Sequence, residues 1–136
     1  MRQYRFEDYL EVIGKIGEKL TAEINTGLSD NKWGLTTSEW KFACVDIRWT
    51  LDGNTSVSKL RIGLPGGAIF AHLSFSIDVD SLFEEAYQMK DKVFPDKWYG
   101  LVMTLHPDGK CQLDYNYDPN CSDDPSFFDT VDPGST

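Results

Sequence analysis

The sequence has 136 residues, with 22 acidic and 13 basic side chains and a formal net charge of −9. Because 40% of the residues are hydrophobic and 13% are aromatic, the chain can fill one core, which excludes disorder along its whole length. The acidity argues against binding to nucleic acid and to membrane surfaces, since both need clustered lysine and arginine, and it makes a basic protein the natural electrostatic partner.

The N-terminus and the cysteines predict a cytoplasmic protein. No apolar stretch follows the first basic residues, so no signal peptide is expected, and no apolar run approaches the length of a membrane span. Cys44, Cys111 and Cys121 are odd in number and widely spaced. We therefore expect free thiols in a reducing compartment.

The N-terminal segment has the apolar period of a helix. Its apolar residues recur at steps of three and four: Phe6, Tyr9, Leu10, Ile13, Ile16, Leu20 and Ile24. This spacing predicts one amphipathic helix of about five turns, which Gly27 is expected to end. The polar stretch from Leu28 to Ser38, with Trp33 inside it, is expected to form a loop.

After Trp40 the apolar period changes to two, which is typical of strands. The first run is expected to place four apolar side chains on one face: Val45, Ile47, Trp49 and Leu51. Asp52-Gly53-Asn54 predicts a hairpin turn, followed by a return strand from Val57 to Leu64 and a third alternating run from Ile69 to Phe75. Ser81 with Glu84 three residues later matches a capping box, so a second helix is expected to begin there.

The final hairpin has the clearest pattern. Trp98–Leu105 predicts a strand, His106-Pro107-Asp108-Gly109 a turn, and Lys110–Tyr117 the return strand. The order of elements predicts a single α+β domain over residues 1–136, an antiparallel β-sheet with the N-terminal amphipathic helix and the second helix packed on one face. Residues 119–136 are expected to form an acidic loop and tail.

No motif in the sequence indicates catalysis. His72 and His106 do not pair in a recognisable arrangement, and no nucleophile motif or phosphate-binding loop is present. We predict no enzymatic activity, no cofactor and no metal site. The alternative is a small metal- or ligand-binding domain or enzyme that uses the Asp118–Asp129 loop, where Asp118, Asn120, Ser122 and Asp129 match calcium-loop positions. Asp123 stands where such a loop needs glycine, which favours a solvated acidic loop.

Most of the negative charge lies near the C-terminus. Residues 106–136 contain seven aspartates and one lysine, a net charge of −6. Aspartates beside tyrosines are typical of surfaces that bind basic proteins. The expected partner-binding residues are Asp114, Tyr115, Tyr117, Asp118, Asp123 and Asp124. For Tyr115 and Tyr117, which share a predicted strand face with Leu113, core packing is an equally open interpretation.

The segment from Trp98 to Asp118 also carries a family resemblance. A strand that begins with Trp98-Tyr99, the turn Pro107-Asp108-Gly109-Lys110, and the run Asp114-Tyr115-Asn116-Tyr117-Asp118 resemble the YezG-like family of bacterial immunity (antitoxin) proteins. The resemblance implies a small cytosolic α+β protein that neutralises a cognate secreted toxin domain, frequently a nuclease, and that has no catalytic residues. A generic adaptor for an unrelated basic protein is the remaining alternative.

Overall fold

The computed structural model describes residues 5–35, 37, 39–73 and 75–123, with the backbone alone at residues 71–73. Its helices are α1 (Phe6–Ser29) and α2 (Ile77–Val93). Its strands are β1 (Phe42–Trp49), β2 (Ser56–Gly63), β3 (Ile69–Leu73), β4 (Gly100–Leu105) and β5 (Cys111–Asn116), and short 3₁₀ turns lie at Pro65–Gly67 and Cys121–Asp123. The strand order is β3-β2-β1-β4-β5, with every neighbouring pair antiparallel. The predicted α+β fold is confirmed.

The core lies between one face of this sheet and the two helices. β1 runs through the centre of the sheet, and its alternate residues Ala43, Val45, Ile47 and Trp49 are fully buried. They belong to one cluster with the apolar residues of both helices. The intervening residues of β1 face the opposite side of the sheet and are only half-buried. We call that side the outer face.

Helix α1 is longer than the sequence predicted. It runs to Ser29, so Gly27 does not end it but lies inside it. A Cβ atom at Gly27 would stand 2.5 Å from the Trp33 ring, so the residue is small because an aromatic ring packs against the helix there. The predicted apolar stripe is also wrong at Leu10, which is 47% exposed, whereas Val12 is buried.

Helix α2 begins earlier than the predicted capping box. Its N-cap is Ser76, whose hydroxyl oxygen accepts a hydrogen bond from the Val79 N–H at 3.2 Å. The Ser76 hydroxyl donates to the Glu23 carboxylate, and the Ser76 N–H donates to Glu23 Oε1 at 3.0 Å. The start of α2 is thereby joined to α1. Ser81 is an exposed residue inside the helix, so the capping-box prediction was wrong.

Both predicted hairpin turns are confirmed. Gly53 and Gly109 adopt positive φ angles of 75° and 92°, which only glycine adopts without strain. Several of the strands are shorter than predicted. β1 ends at Trp49, which leaves Leu51 64% exposed in the turn, and β3 ends at Leu73, before Phe75.

We expect Ser76→Ala to lower the free energy of unfolding by about 1–2 kcal/mol, because it removes an N-cap acceptor that also bonds to α1. Ser81→Ala is the matched control, since alanine is the better residue inside a helix. Urea unfolding followed by circular dichroism measures both variants. Equal stabilities would contradict the assignment of Ser76 as the cap.

Candidate partner-binding surface

Tyr115 is partly buried and packs against the core. Its ring lies on the inner side of β5 with centroids 5.0 Å from Trp98 and 5.2 Å from Phe94, and its hydroxyl is 3.0 Å from the Tyr9 hydroxyl on α1. Burial, reinforced by this contact, raises the pKa of Tyr9 far above its usual range. Of the two interpretations left open by the sequence, packing against the core describes the Tyr115 ring, and because the residue is only partly buried, its contact with a partner stays a prediction.

Tyr117 has a different environment from Tyr115. It follows the last residue of β5 and is 56% exposed, one of the few large apolar side chains that the described surface displays. The pairing of β5 with β4 ends at Asn116, so the chain has left the sheet before Tyr117 and the ring is not drawn into the core. Tyr117 therefore remains available to a partner.

Three of the predicted aspartates are exposed near this tyrosine. Asp114 lies on the outer face of β5, and Asp118 and Asp123 follow the strand. The Asp118 Oδ1 accepts the Asn120 N–H at 2.9 Å, which fixes the turn after β5. We call Asp114, Tyr117, Asp118 and Asp123 the acidic end of the molecule. Asp124, the sixth predicted residue, lies outside the described residues.

The acidic end is held to the outer face by an anchor that the sequence analysis missed. The Arg48 Nη1 donates to the Cys121 carbonyl oxygen at 3.0 Å, and Cys121 is buried against Gly100, where an added Cβ would stand 3.3 Å from its Sγ. The Asp46 carboxylate accepts two bonds from the same guanidinium at 3.2 Å. This bidentate pair orients Arg48, so the 3₁₀ turn Cys121–Asp123 has a fixed position.

A sequence signal for this anchor exists in the alternation of β1. Asp46 and Arg48 occupy the polar phase of a strand whose other phase is apolar, which placed them on the outer face. Arg48 and Cys121 are 73 residues apart in sequence, and no local pattern identifies such a partner.

The three cysteines are free thiols, as predicted. Burial raises the pKa of Cys121 and of Cys44 above the usual thiol range. Both thiols therefore stay protonated near neutral pH, which makes them poor nucleophiles and poor metal ligands.

Within the described part of the chain, no group of three or more His, Cys, Asp or Glu side chains is placed to hold a metal ion. The alternative calcium loop is described only as far as Asp123, and Asp129 lies beyond it. His106 lies exposed at the β4–β5 turn, and the His72 side chain is outside the described part. No helix among the described residues is long and apolar enough to span a bilayer.

Comparison of the sequence with models of known protein families gives no match, and comparison with curated proteins gives no significant match.

The buried tyrosines predict a loss of stability at alkaline pH. Burial raises the pKa of Tyr9, and that of Tyr87 to about 12, from the ordinary value of 10.0. Above about pH 10 the unfolded chain loses these protons first, so the free energy of unfolding falls by roughly 1.4 kcal/mol per pH unit for each such group. Urea unfolding at a series of pH values should show this fall, and Tyr9→Phe should make it shallower.

Tyr117→Phe is the control for that series, because the Tyr117 ring is exposed. It should leave the alkaline slope unchanged. A Tyr9→Phe variant with the same slope as the unmodified protein would contradict the role given to the Tyr9–Tyr115 contact.

Proposed function

We propose that the protein is a cytosolic immunity protein that binds a cognate toxin domain secreted between bacteria, and that the toxin is a nuclease whose basic active cleft it covers. The partner would contact the acidic end. The observation that carries the proposal is that Asp114, Asp118 and Asp123 are exposed together with Tyr117 on a hairpin that the core holds in place.

Two properties of this surface suit a basic partner. Tyrosine supplies a large contact area with few rotatable bonds and is enriched among the residues that dominate binding energy. The aspartates can attract a cleft that is built to bind phosphates, which raises the rate of encounter.

The resemblance to YezG-like proteins gives separate support. Of the residues that carry it, Trp98 lies in the core, Tyr115 packs against it, and Asp108 and Gly109 form the β4–β5 turn. These residues maintain the shape of the hairpin. Asp114, Tyr117 and Asp118 also carry the resemblance and are the exposed part of the same segment, so they would be the residues that contact the partner.

We expect the gene immediately upstream to encode a large protein that ends in a toxin domain, and the direct test is co-expression of this protein with that domain. We expect that domain to stop growth when it is produced alone, and growth to recover when this protein is produced with it. An upstream gene without such a domain would favour the adaptor for an unrelated basic protein.

Charge reversal should slow association with that toxin domain. We expect Asp114→Lys combined with Asp118→Lys to lower the association rate constant by about tenfold or more at low salt, with a smaller difference at high salt, because exposed charges are screened over about 8 Å at physiological ionic strength. Surface plasmon resonance measures both rate constants. Glu85→Lys with Asp78→Lys, exposed residues of α2, is the matched control and should have little effect.

Truncation separates the described acidic end from the residues beyond it. A chain that ends at Asp123 keeps the Arg48–Cys121 anchor and loses Asp124, Asp129 and Asp132. We expect it to melt at the same temperature and to bind the toxin domain about twofold to tenfold more slowly, because steering charge is lost. Complete loss of binding by this truncated chain would mean that the contact surface lies beyond Asp123.

A further inference from the structure

The sheet ends on one side in a strand that is regular and exposed. β5 is the last strand in the order β3-β2-β1-β4-β5 and pairs with β4 without interruption over six residues. At the opposite edge, the pairing of β3 with β2 is shorter and contains a register shift, which is one way in which proteins block an edge. β5 carries no such irregularity.

The register shows which backbone groups of β5 point away from the sheet. The Trp49 N–H donates to the Tyr99 carbonyl oxygen at 2.8 Å, and the His106 N–H donates to the Lys110 carbonyl oxygen at 2.9 Å. Hydrogen bonding alternates along an antiparallel pair of strands. The first bond therefore assigns the odd-numbered residues of β4 to β1, and the second assigns the even-numbered residues of β4 and β5 to each other. The N–H and C=O groups of Cys111, Leu113 and Tyr115 face the edge, where no described residue bonds to them.

A groove lies beside this edge on the inner side of the sheet. The Tyr9–Tyr115 contact places α1 alongside β5. The groove lies between α1 and the β4–β5 turn, at the Cys111 end of the strand, and is lined by Gly14 and Gly17 and by the acidic residues Glu18 and Asp108. Leu10 shares this flank of α1 by helical spacing and is 47% exposed. A strand added to β5 would direct every second side chain onto Leu10 and the two glycines, which present no side chains to obstruct it.

The charges beside the edge favour a basic strand as the one that pairs with β5. Asp114 is the exposed charged residue in the middle of β5, and Asp118 follows the strand, whereas Asp108 before the strand forms an ion pair with Lys110 at 3.9 Å. A second copy paired antiparallel to β5 would bring its own Asp114 close to this one, which is destabilising. A strand with lysine or arginine on its outer side would instead pair with Asp114.

We propose that the edge of β5 and the adjoining flank of α1 form a docking slot for a β-strand of a basic partner protein, which adds to the sheet as a sixth strand. Such strand addition takes its affinity from backbone hydrogen bonds and its specificity from alternate side chains. The choice of a basic protein as occupant rests on the proposed function. Asp114 would pair with the basic side chains, while Leu10, Gly14 and Gly17 would receive the apolar ones.

Amide hydrogen exchange measured by NMR tests the slot residue by residue. The probe is a blocked synthetic peptide that alternates valine with lysine. In the unbound protein the amides of Gln112, Asp114 and Asn116 should exchange slowly, and those of Cys111, Leu113 and Tyr115 rapidly. Saturating peptide should slow the odd-numbered amides by about tenfold or more, as new backbone hydrogen bonds do. Rapid exchange of the odd-numbered amides at saturating peptide would overturn the proposal.

Three controls identify the occupant. A peptide with every backbone nitrogen methylated should not bind, because neither of its edges can donate hydrogen bonds. A peptide that alternates valine with glutamate should bind at least about tenfold more weakly. Leu10→Lys should weaken binding, whereas Leu51→Lys, at another exposed leucine in the β1–β2 turn, should not. Slow exchange of the odd-numbered β5 amides in the unbound protein would overturn the proposal. If the slow exchange depended on protein concentration, the edge would be occupied by a second copy. If truncation after Asp123 removed it, the edge would be occupied by residues 124–136.

The toxin domain distinguishes failure of the slot from failure of the proposed function. Protection of the odd-numbered amides in that complex would support both proposals. A tight complex in which these amides still exchange rapidly would overturn the slot and leave the immunity function standing. If the toxin domain did not bind at all, the proposed function would fail, and the alternating peptide would still decide whether the slot accepts a basic strand.

Discussion

The aromatic cluster between α1, α2 and the β4–β5 hairpin is the contact on which the rest of the structure depends. Trp98 lies at its centre, fully buried, with Trp49, Tyr87, Phe94 and Tyr115 around it. The Trp98 indole N–H has no hydrogen-bond partner among the described residues, which costs about 1–3 kcal/mol. Burial of the large ring, and its edge-on contacts with neighbouring rings, offsets that cost.

This cluster fixes an edge strand that has little other support. β5 has a neighbour on one side only, and its outer face is exposed. Tyr115 joins it to α1 through the Tyr9 hydroxyl, and the Arg48–Cys121 anchor holds the chain that follows it. The two attachments lie on opposite faces of the sheet, so the hairpin is held in position although its surface is open to solvent.

The charges on this hairpin have a different physical role from its core residues. Exposed aspartates contribute little to stability, and several close together repel one another. The charges of Asp114, Asp118 and Asp123 therefore do not stabilise the fold, whereas a basic partner would remove their repulsion. The same geometry leaves the β5 backbone edge and the α1 flank open next to the charges, which joins the two proposals at one side of the molecule.

The sequence by itself determined the fold class, the strand faces and both hairpin turns. These depend on apolar periods and on glycine at positive φ, which are local properties of the chain. Only the tertiary structure decided that Tyr115 packs against the core and that Tyr117 is exposed, because two tyrosines of the same phase differ only in where pairing with β4 ends. It also placed the α2 cap at Ser76, through Glu23 of a distant helix, and joined Arg48 to Cys121. Such contacts join residues far apart in sequence, so no local pattern could reveal them.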